Sequence, residues 1–462
     1  MADHNSGTRA GQSGSARPNV VLVFGDQWRA QATGYAGDPN VHTPHLDRLA
    51  SQSVNMTHAV SGCPVCSPAR ACLLTGQYPL THGVFVNDVP LSDRATSLAQ
   101  AFGSGGYDTA YIGKWHVDGQ GRSNPIPPER RQGFDEWQVL ECTHDYNESD
   151  YYQGDSDEKL RWEGYDATSQ TRAAQSWVRS RRDQADPFLL VLSWGPPHNP
   201  YHTAPEEYRA RYDAEQIQLR GNVPESEALN AREQLAGYYA HCTALDQCVG
   251  DLLQTLDEEG MAQDTLFVFF SDHGDLVGSR GAYNKQRPWD ESIRVPFLLR
   301  YPDQFGDQGC QMDARIDIPD MMPTLLGLCA LPIPETVEGL DFSGYLRGGE
   351  GPSDGAALLQ CAHPFGQWTV PDGGRAYRGL RTRQHTYVRA LEGPWLLYDN
   401  EADPYQLNNL VGHSDHDELL ASMDAWLDRR LAARGDEFLP SPHYLRQWGY
   451  KVDSRGTVPY TN

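Results

Sequence analysis

Asn19-Val20-Val21-Leu22-Val23-Phe24 is followed directly by Gly25-Asp26-Gln27. An unbroken apolar run with no polar alternation describes a strand covered on both faces, as in a parallel sheet. Similar runs occupy residues 109–112, 188–193, 265–270 and 295–301. Between them the period changes. Leu235, Tyr238, Tyr239, Cys242, Leu245, Val249, Leu252, Leu253 and Leu256 recur at three- and four-residue steps, which predicts an amphipathic helix stopped by Gly260. Shorter helices are expected after Thr43-Pro44, over 97–102 and over 170–181. Strands alternating with helices predict an α/β protein, with a large, mostly parallel mixed sheet sandwiched by helices. The five strand-like runs are read as ending in polar residues of the kind that do chemistry. In an open parallel sheet, ligands bind beyond the carboxyl ends of the strands.

After residue 350 the pattern shifts. Gly348-Gly349 to Gly355 reads as a linker. Residues 377–382, 387–390 and 395–398 alternate as half-exposed strands, and 419–431 as an amphipathic helix. The expected division is a disordered tail over 1–17, a catalytic domain over 18–350, and a C-terminal subdomain over 351–462. That subdomain is a smaller antiparallel sheet with a packed helix.

Chemistry concentrates at Cys66-Ser67-Pro68-Ala69-Arg70, with Leu74-Thr75-Gly76 downstream. Pro68 suits a first helical turn, the alanines and leucines carry the helix on, and Gly76 ends it. Cys66 is thereby set at a helix N-terminus, where free N–H groups and the dipole favour an anion. Arg70 lies four residues on, along the same face. Thiol, guanidinium and helix start aimed at one point describe an anion-handling nucleophile site. Asp26-Gln27 and Asp272-His273 each follow a buried strand. Oxygen-rich ligands with one imidazole suit a hard divalent cation, Ca²⁺ or Mg²⁺ ahead of a transition metal. Cys63-Pro64-Val65-Cys66 also admits a rival reading, a dithiol redox switch or half a zinc site. The matching second cysteine pair is missing, and that reading leaves both acidic pairs unexplained.

The 462 residues carry 38 Lys and Arg against 62 Asp and Glu, a formal charge of −24. Such acidity argues against nucleic acid or an anionic membrane as partner. No apolar run is long enough for a membrane-spanning helix. Residues 1–17 are rich in Gly, Ser and Ala without an apolar segment, unlike a signal peptide. Nine scattered cysteines do not form a disulfide framework, so a reduced, cytoplasmic setting is expected. An acidic chain that handles an anion must gather positive charge locally, and Arg70, Lys114, His116, His198 and Lys285 are the candidates.

These motifs resemble the formylglycine-dependent type I sulfatases of the alkaline phosphatase superfamily. The Cys-x-Pro-x-Arg at 66–70, the two acidic pairs, Gly113-Lys114-Trp115-His116, Pro196-Pro197-His198-Asn199-Pro200 and Lys285 occur in family order, and the likeness runs from Asn19 to Leu410. The resemblance implies that a formylglycine-generating enzyme converts Cys66 to 3-oxoalanine. It implies a metal, calcium or else magnesium or manganese, held by Asp26, Gln27, Asp272, His273 and residue 66. It further implies that the aldehyde hydrate attacks a sulfate ester with His198 or Lys285 as acid. His116 then deprotonates the second hydroxyl to eject sulfate, while Arg70 and Lys114 neutralise charge. A phosphonate monoester or phosphodiester hydrolase shares the signature and stands as the close alternative, and a degenerate sulfated-glycan binder as a remote one. Around the pocket, His144 and Tyr146 of the aromatic stretch 137–152, with His363 and Arg381 of the second unit, are candidate substrate contacts. These favour a sulfated saccharide over a simple aryl sulfate. Oligomeric state is not legible.

Overall fold

The computed structural model describes residues 17–461, so the tail expected over 1–17 lies outside the described residues apart from Arg17. Ten strands build one sheet: β1 (Asn19–Asp26), β2 (Val54–Met56), β3 (Asp108–Lys114), β4 (Glu136–Leu140), β5 (Asp150–Gln153), β6 (Leu160–Arg161), β7 (Phe188–Pro197), β8 (Thr265–Ser271), β9 (Phe297–Arg300) and β10 (Cys310–Met312). Their order is β10-β2-β9-β8-β1-β7-β3-β4-β5-β6. β1 sits at the centre, parallel to both neighbours, with Val20 beside Leu189 of β7 and Leu266 of β8.

The unbroken apolar run of β1 is explained by two cores. Val20, Leu22 and Phe24 pack on one face with Cys72, Leu73 and Leu74 of the helix Cys66–Thr75. Val21 and Val23 pack on the other with Leu235, Tyr238, Leu245 and Leu252 of the long helix Ala228–Glu258. Each such side chain contributes roughly 1.5–3 kcal/mol by leaving water. Alternation is therefore absent because both faces are covered.

Two sequence expectations need correction. The run at 295–301 does not join the parallel set. It becomes β9, antiparallel to β8 and β2, so its carboxyl end points away from those of β1, β3, β7 and β8. The aromatic stretch after Gly133 is irregular chiefly over residues 141–149, which include His144 and Tyr146. Its two ends form β4 and β5, which with β6 extend the sheet, because Trp137 and Val139 bury against the core while intervening residues stay half-exposed.

The second sheet is antiparallel, in the order β11 (Ala356–Cys361), β12 (Tyr377–Thr382), β13 (His385–Ala390) and β14 (Gly393–Asp399). The helix Asp417–Ala432 packs on it through Met423, Leu427 and Leu431. Residues beyond it return to the large sheet's domain, where the Tyr450 hydroxyl donates to the Gly83 carbonyl and Trp448 fills the space beside Gly83.

Arg381 ties the two units together. From β12 its Nε and Nη2 donate to the two carboxylate oxygens of Asp290, each at 2.9 Å. The side chain is 1 % exposed, so this candidate substrate contact is a buried structural ion pair outside the pocket wall. Removing one partner of such a pair leaves an uncompensated charge. Arg381→Ala should lower unfolding free energy by about 3–5 kcal/mol in a denaturant titration while KM stays at the wild-type value.

Candidate active site

The ends of β1 and β8 are stitched before any ligand is considered. Ser271 Oγ donates to the Gly25 carbonyl at 2.7 Å and accepts from the Trp28 amide at 2.9 Å. Gln27 is in the left-handed region, φ 74°, and its amide donates to Asp272 Oδ1 at 3.0 Å. Asp88, His116 and Gln286 are also left-handed, with φ 63°, 59° and 72°. Strained non-glycine backbone gathered at one place is a pointer to function. At Gly113, φ 106°, a Cβ would lie 2.1 Å from the Ser193 carbonyl oxygen, so only glycine lets β3 deliver Lys114 beside β7.

Cys66 begins its helix as expected, and Gly76 ends it in the left-handed conformation, φ 64°. Cys66 Sγ lies 3.0 Å from Lys285 Nζ, 3.3 Å from His273 Nε2 and 3.4 Å from Asp26 Oδ1. Burial pushes this thiol up, but Lys114, Lys285 and His273 outweigh burial and hold it well below the usual thiol range.

Arg70 and Lys114 serve the acids rather than the cavity. Lys114 Nζ is 2.6 Å from Asp26 Oδ2, and Arg70 Nη2 is 3.2 Å from the same oxygen. Arg70 also donates to the Lys114 carbonyl at 2.8 Å and to Ser193 Oγ at 2.6 Å, and its Nε is 3.4 Å from Asp272. Burial opposes ionisation of Asp26, as does Cys66, yet Lys114, His198 and Lys285 hold its carboxyl well below the usual range. Asp272 moves the other way, pushed up to about 6 by burial and by Asp26.

Asp26, Cys66, Asp272 and His273 offer ligand atoms that all lie within 4.8 Å of one another, every one buried. The donor set fits a cation on two further observations. His273 Nδ1 pairs with the Gly274 carbonyl at 3.0 Å, which assigns a proton to Nδ1 and aims Nε2 at the acids. Among the described residues, Asp272 Oδ2 is buried and makes no hydrogen bond, its one cationic neighbour being Arg70 Nε at 3.4 Å. Gln27 is oriented from behind, its Nε2 donating to Asp275 Oδ2 at 2.5 Å, so that Oε1 faces inward and accepts from Lys285 at 2.8 Å. Tyr201 also donates to Asp275. Sequence reasoning passed over Asp275, although it lies two residues after His273.

A cavity of about 280 Å³ opens above Cys66, lined by His116, His144, His198, Lys285, Asp88 and Arg122 among others. His198 Nδ1 pairs with the Asn199 carbonyl at 2.7 Å, and burial and Lys285 lower its pKa. His144 stacks on His198, centroids 4.6 Å apart. Tyr146 does not reach the cavity. It is fully buried, and its hydroxyl bonds the Gly195 and Asn199 carbonyls, propping the turn that carries His198. His363 pairs with the Gly456 carbonyl at 2.9 Å and lies behind Phe365 and Gly366, which do line the wall. His116 faces Asp88 at 3.6 Å, an ion-pair distance. Burial pulls its pKa down, but Cys142 and Asp88 carry it well above the usual histidine value. Asp88 and Arg122 are pocket residues that no motif announced.

A nucleophile at a helix start, backed by a buried acid pair at the carboxyl edge of a parallel sheet, describes a site built to handle an anion. The family model for sulfatases matches residues 18–330, and that for the N-sulphoglucosamine sulphohydrolase C-terminal region matches 278–433. The chain is 44 % identical to an ulvan-active sulfatase of Formosa agariphila, over 97 % of this chain and 88 % of that protein. It is 30 % identical to an endo-4-O-sulfatase of Bacteroides thetaiotaomicron, covering 85 % and 88 %. A crystal structure from Bacteroides fragilis described as a sulfatase superposes with TM-score 0.84 at 30 % identity, covering 94 % of this chain and 99 % of that one. The chain belongs to the sulfatase family and is a sulfuric ester hydrolase.

Removing the cation beside Cys66 tests the electrostatics without catalysis. In protein that retains the thiol, Lys285→Met leaves the thiolate less stabilised, so the midpoint of the pH–alkylation curve with iodoacetamide moves to higher pH. A midpoint at or below the wild-type value would contradict the arrangement.

Proposed function

We propose that this enzyme removes sulfate from a sulfated saccharide, using residue 66 in its formylglycine form and a divalent cation. The observation that carries this is Cys66 at a helix start, 3.0–3.4 Å from Lys285, His273 and Asp26 at once. Hydrated, the aldehyde supplies an oxygen nucleophile that a thiol cannot, and a second hydroxyl through which sulfate leaves. Asp26, Gln27, Asp272 and His273, with residue 66, would hold the cation. Calcium is favoured by the oxygen-rich set, with magnesium or manganese as substitutes, and it would supply charge neutralisation for sulfate and lower the pKa of an oxygen on residue 66.

The chain's own residues divide the remaining work. Lys114 and Arg70 keep Asp26 ionised. Lys285 and His198 flank the cavity end of Cys66, where a proton is needed by the departing alkoxide. His198, neutral and with its Nδ1 proton committed to a backbone carbonyl, offers Nε2 as an acceptor, which leaves the Lys285 ammonium as the group with a proton to give. His116 lines the cavity with residue 66, and because Asp88 and Cys142 hold it protonated, it takes a proton from residue 66 only after giving up its own. His144 extends the cavity as a flat surface beside His198. Saccharide as substrate class is supported by the names of the relatives, one acting on ulvan. The reduced, cytoplasmic setting read from the sequence is part of this proposal.

A second reading keeps one specific support. A phosphonate monoester hydrolase of Agrobacterium radiobacter shares the fold, TM-score 0.73 at 24 % identity. A cationic pocket neutralises tetrahedral anions of sulfur and phosphorus alike, so side activity is expected. An aryl sulfate should show a larger kcat/KM than the matching aryl phosphonate, and the opposite order would reverse the assignment.

Mass spectrometry of the peptide containing residue 66 should show the thiol replaced by an aldehyde or its hydrate in active preparations. Cys66→Ala should lower kcat on the order of 10⁴-fold or more, as for loss of a covalent nucleophile. Chelation should abolish turnover and lower the melting temperature, with calcium restoring both. Unchanged melting and turnover after complete metal removal would exclude the cation.

A further inference from the structure

Arg122 joins the inner and outer halves of the cavity. On its inner side Nε and Nη2 grip the two oxygens of Asp88, each at 2.8 Å, and Asp88 faces His116. On its outer side the Tyr460 ring lies over the guanidinium, 3.4 Å from ring centroid to carbon. The Arg122 amide also donates to the Thr461 carbonyl at 2.8 Å.

The segment carrying Tyr460 is pinned along its length. The Gly366 amide donates to the Arg455 carbonyl at 2.9 Å, and Arg455 Nη2 donates back to the Gly366 carbonyl at 2.6 Å. His363 holds the Gly456 carbonyl, and Asp453 Oδ1 accepts from the Arg455 and Thr457 amides at 2.8 Å and 2.9 Å. Residues 453–461 therefore form an ordered strap, and its Arg455, Thr457 and Tyr460 line the same cavity as Cys66.

Tyr460 is 45 % exposed. One face of its ring is taken by Arg122, and the residue lines the cavity. An aromatic face held rigid by a stacked, ion-paired arginine is a ready platform for the apolar face of a pyranose ring. Charge adds a second requirement. Arg122 is neutralised by Asp88, whereas among the described residues the guanidinium of Arg455 has only the Gly366 carbonyl as partner. On a chain of net charge −24, that leaves a cationic spot at the rim of an anion-binding cavity.

We propose that the strap 453–461 is a subsite for the sugar that bears the sulfate. Tyr460 carries the ring, and Arg455 takes an anionic substituent, a carboxylate or a second sulfate. This rests on the sulfatase reading above and names what it recognises beyond the sulfate itself.

The test uses the mature full chain and three sulfated disaccharides whose ring beside the scissile sulfate carries a carboxylate, a second sulfate or a neutral hydroxymethyl group. Tyr460→Ala should raise KM roughly 5-fold for all three, as loss of one aromatic stack does, while Tyr460→Phe keeps the wild-type KM. Arg455→Ala should raise KM roughly 10-fold for the anionic substrates and leave the neutral one unchanged, as loss of one charge-assisted hydrogen bond does. The anion whose KM responds identifies the natural substituent. The inhibition constant for inorganic sulfate, which occupies only the end of the cavity at residue 66, should not move. Wild-type KM in both alanine variants on every disaccharide would overturn the subsite, as would weakened sulfate inhibition. A wild-type enzyme inert on all sulfate esters would instead defeat the sulfatase reading. Equilibrium binding of the same disaccharides to the Cys66→Ala protein, with and without the strap substitutions, then decides the subsite.

Discussion

Everything in this molecule depends on keeping the Asp26 carboxylate charged where no water reaches it. An isolated carboxylate in such a place would take up a proton, because burial penalises the ionised form by several kcal/mol. Lys114 at 2.6 Å and Arg70 at 3.2 Å prevent that. They come from a different strand and a helix, so the ion cluster exists only when β1, β3 and the Cys66–Thr75 helix are all in register. The same charges that stabilise the acid also polarise residue 66. Fold and reactivity are therefore tied through one buried network, in which truncating any member leaves a partner exposed to low dielectric without compensation.

The cost of this arrangement is visible in the backbone. Gln27 and His116 lie just beyond the carboxyl ends of β1 and β3 and adopt left-handed conformations that side chains disfavour. Each turn redirects a side chain that would otherwise point into a core: Gln27 toward Lys285, His116 toward Asp88. Extensive burial in two cores on either face of the sheet, with β1 at its centre, supplies the stability against which such local strain is small.

The division of labour among the cations was only half legible. Sequence spacing placed Arg70 on the face of Cys66, and the structure does so too, yet the arginine reaches past the nucleophile to both acids. Of the proposed positive cluster, Lys285, His198 and His116 face the cavity, while Arg70 and Lys114 lie behind it. Tyr146 and Arg381, read as substrate contacts, are buried supports, since an aromatic or an arginine in a polar stretch carries no mark of which way it faces. Asp88, Arg122 and the strap at 453–461 had no motif at all. They meet because a loop after the Cys66–Thr75 helix, a loop after β3 and the end of the chain converge in space.

Sequence by itself determined what is local or periodic. The doubly covered central strand, the long amphipathic helix, the helix start at Cys66 and its stop at Gly76 follow from side-chain period and backbone preference, which act over a few residues. Tertiary structure alone decided direction and assembly. It turned β9 antiparallel, made strands of both ends of the stretch after Gly133, oriented Gln27 through Asp275, and brought Tyr460 onto Arg122. Those outcomes depend on partners from tens to hundreds of residues apart, and no local pattern encodes which of several compatible partners a side chain will meet.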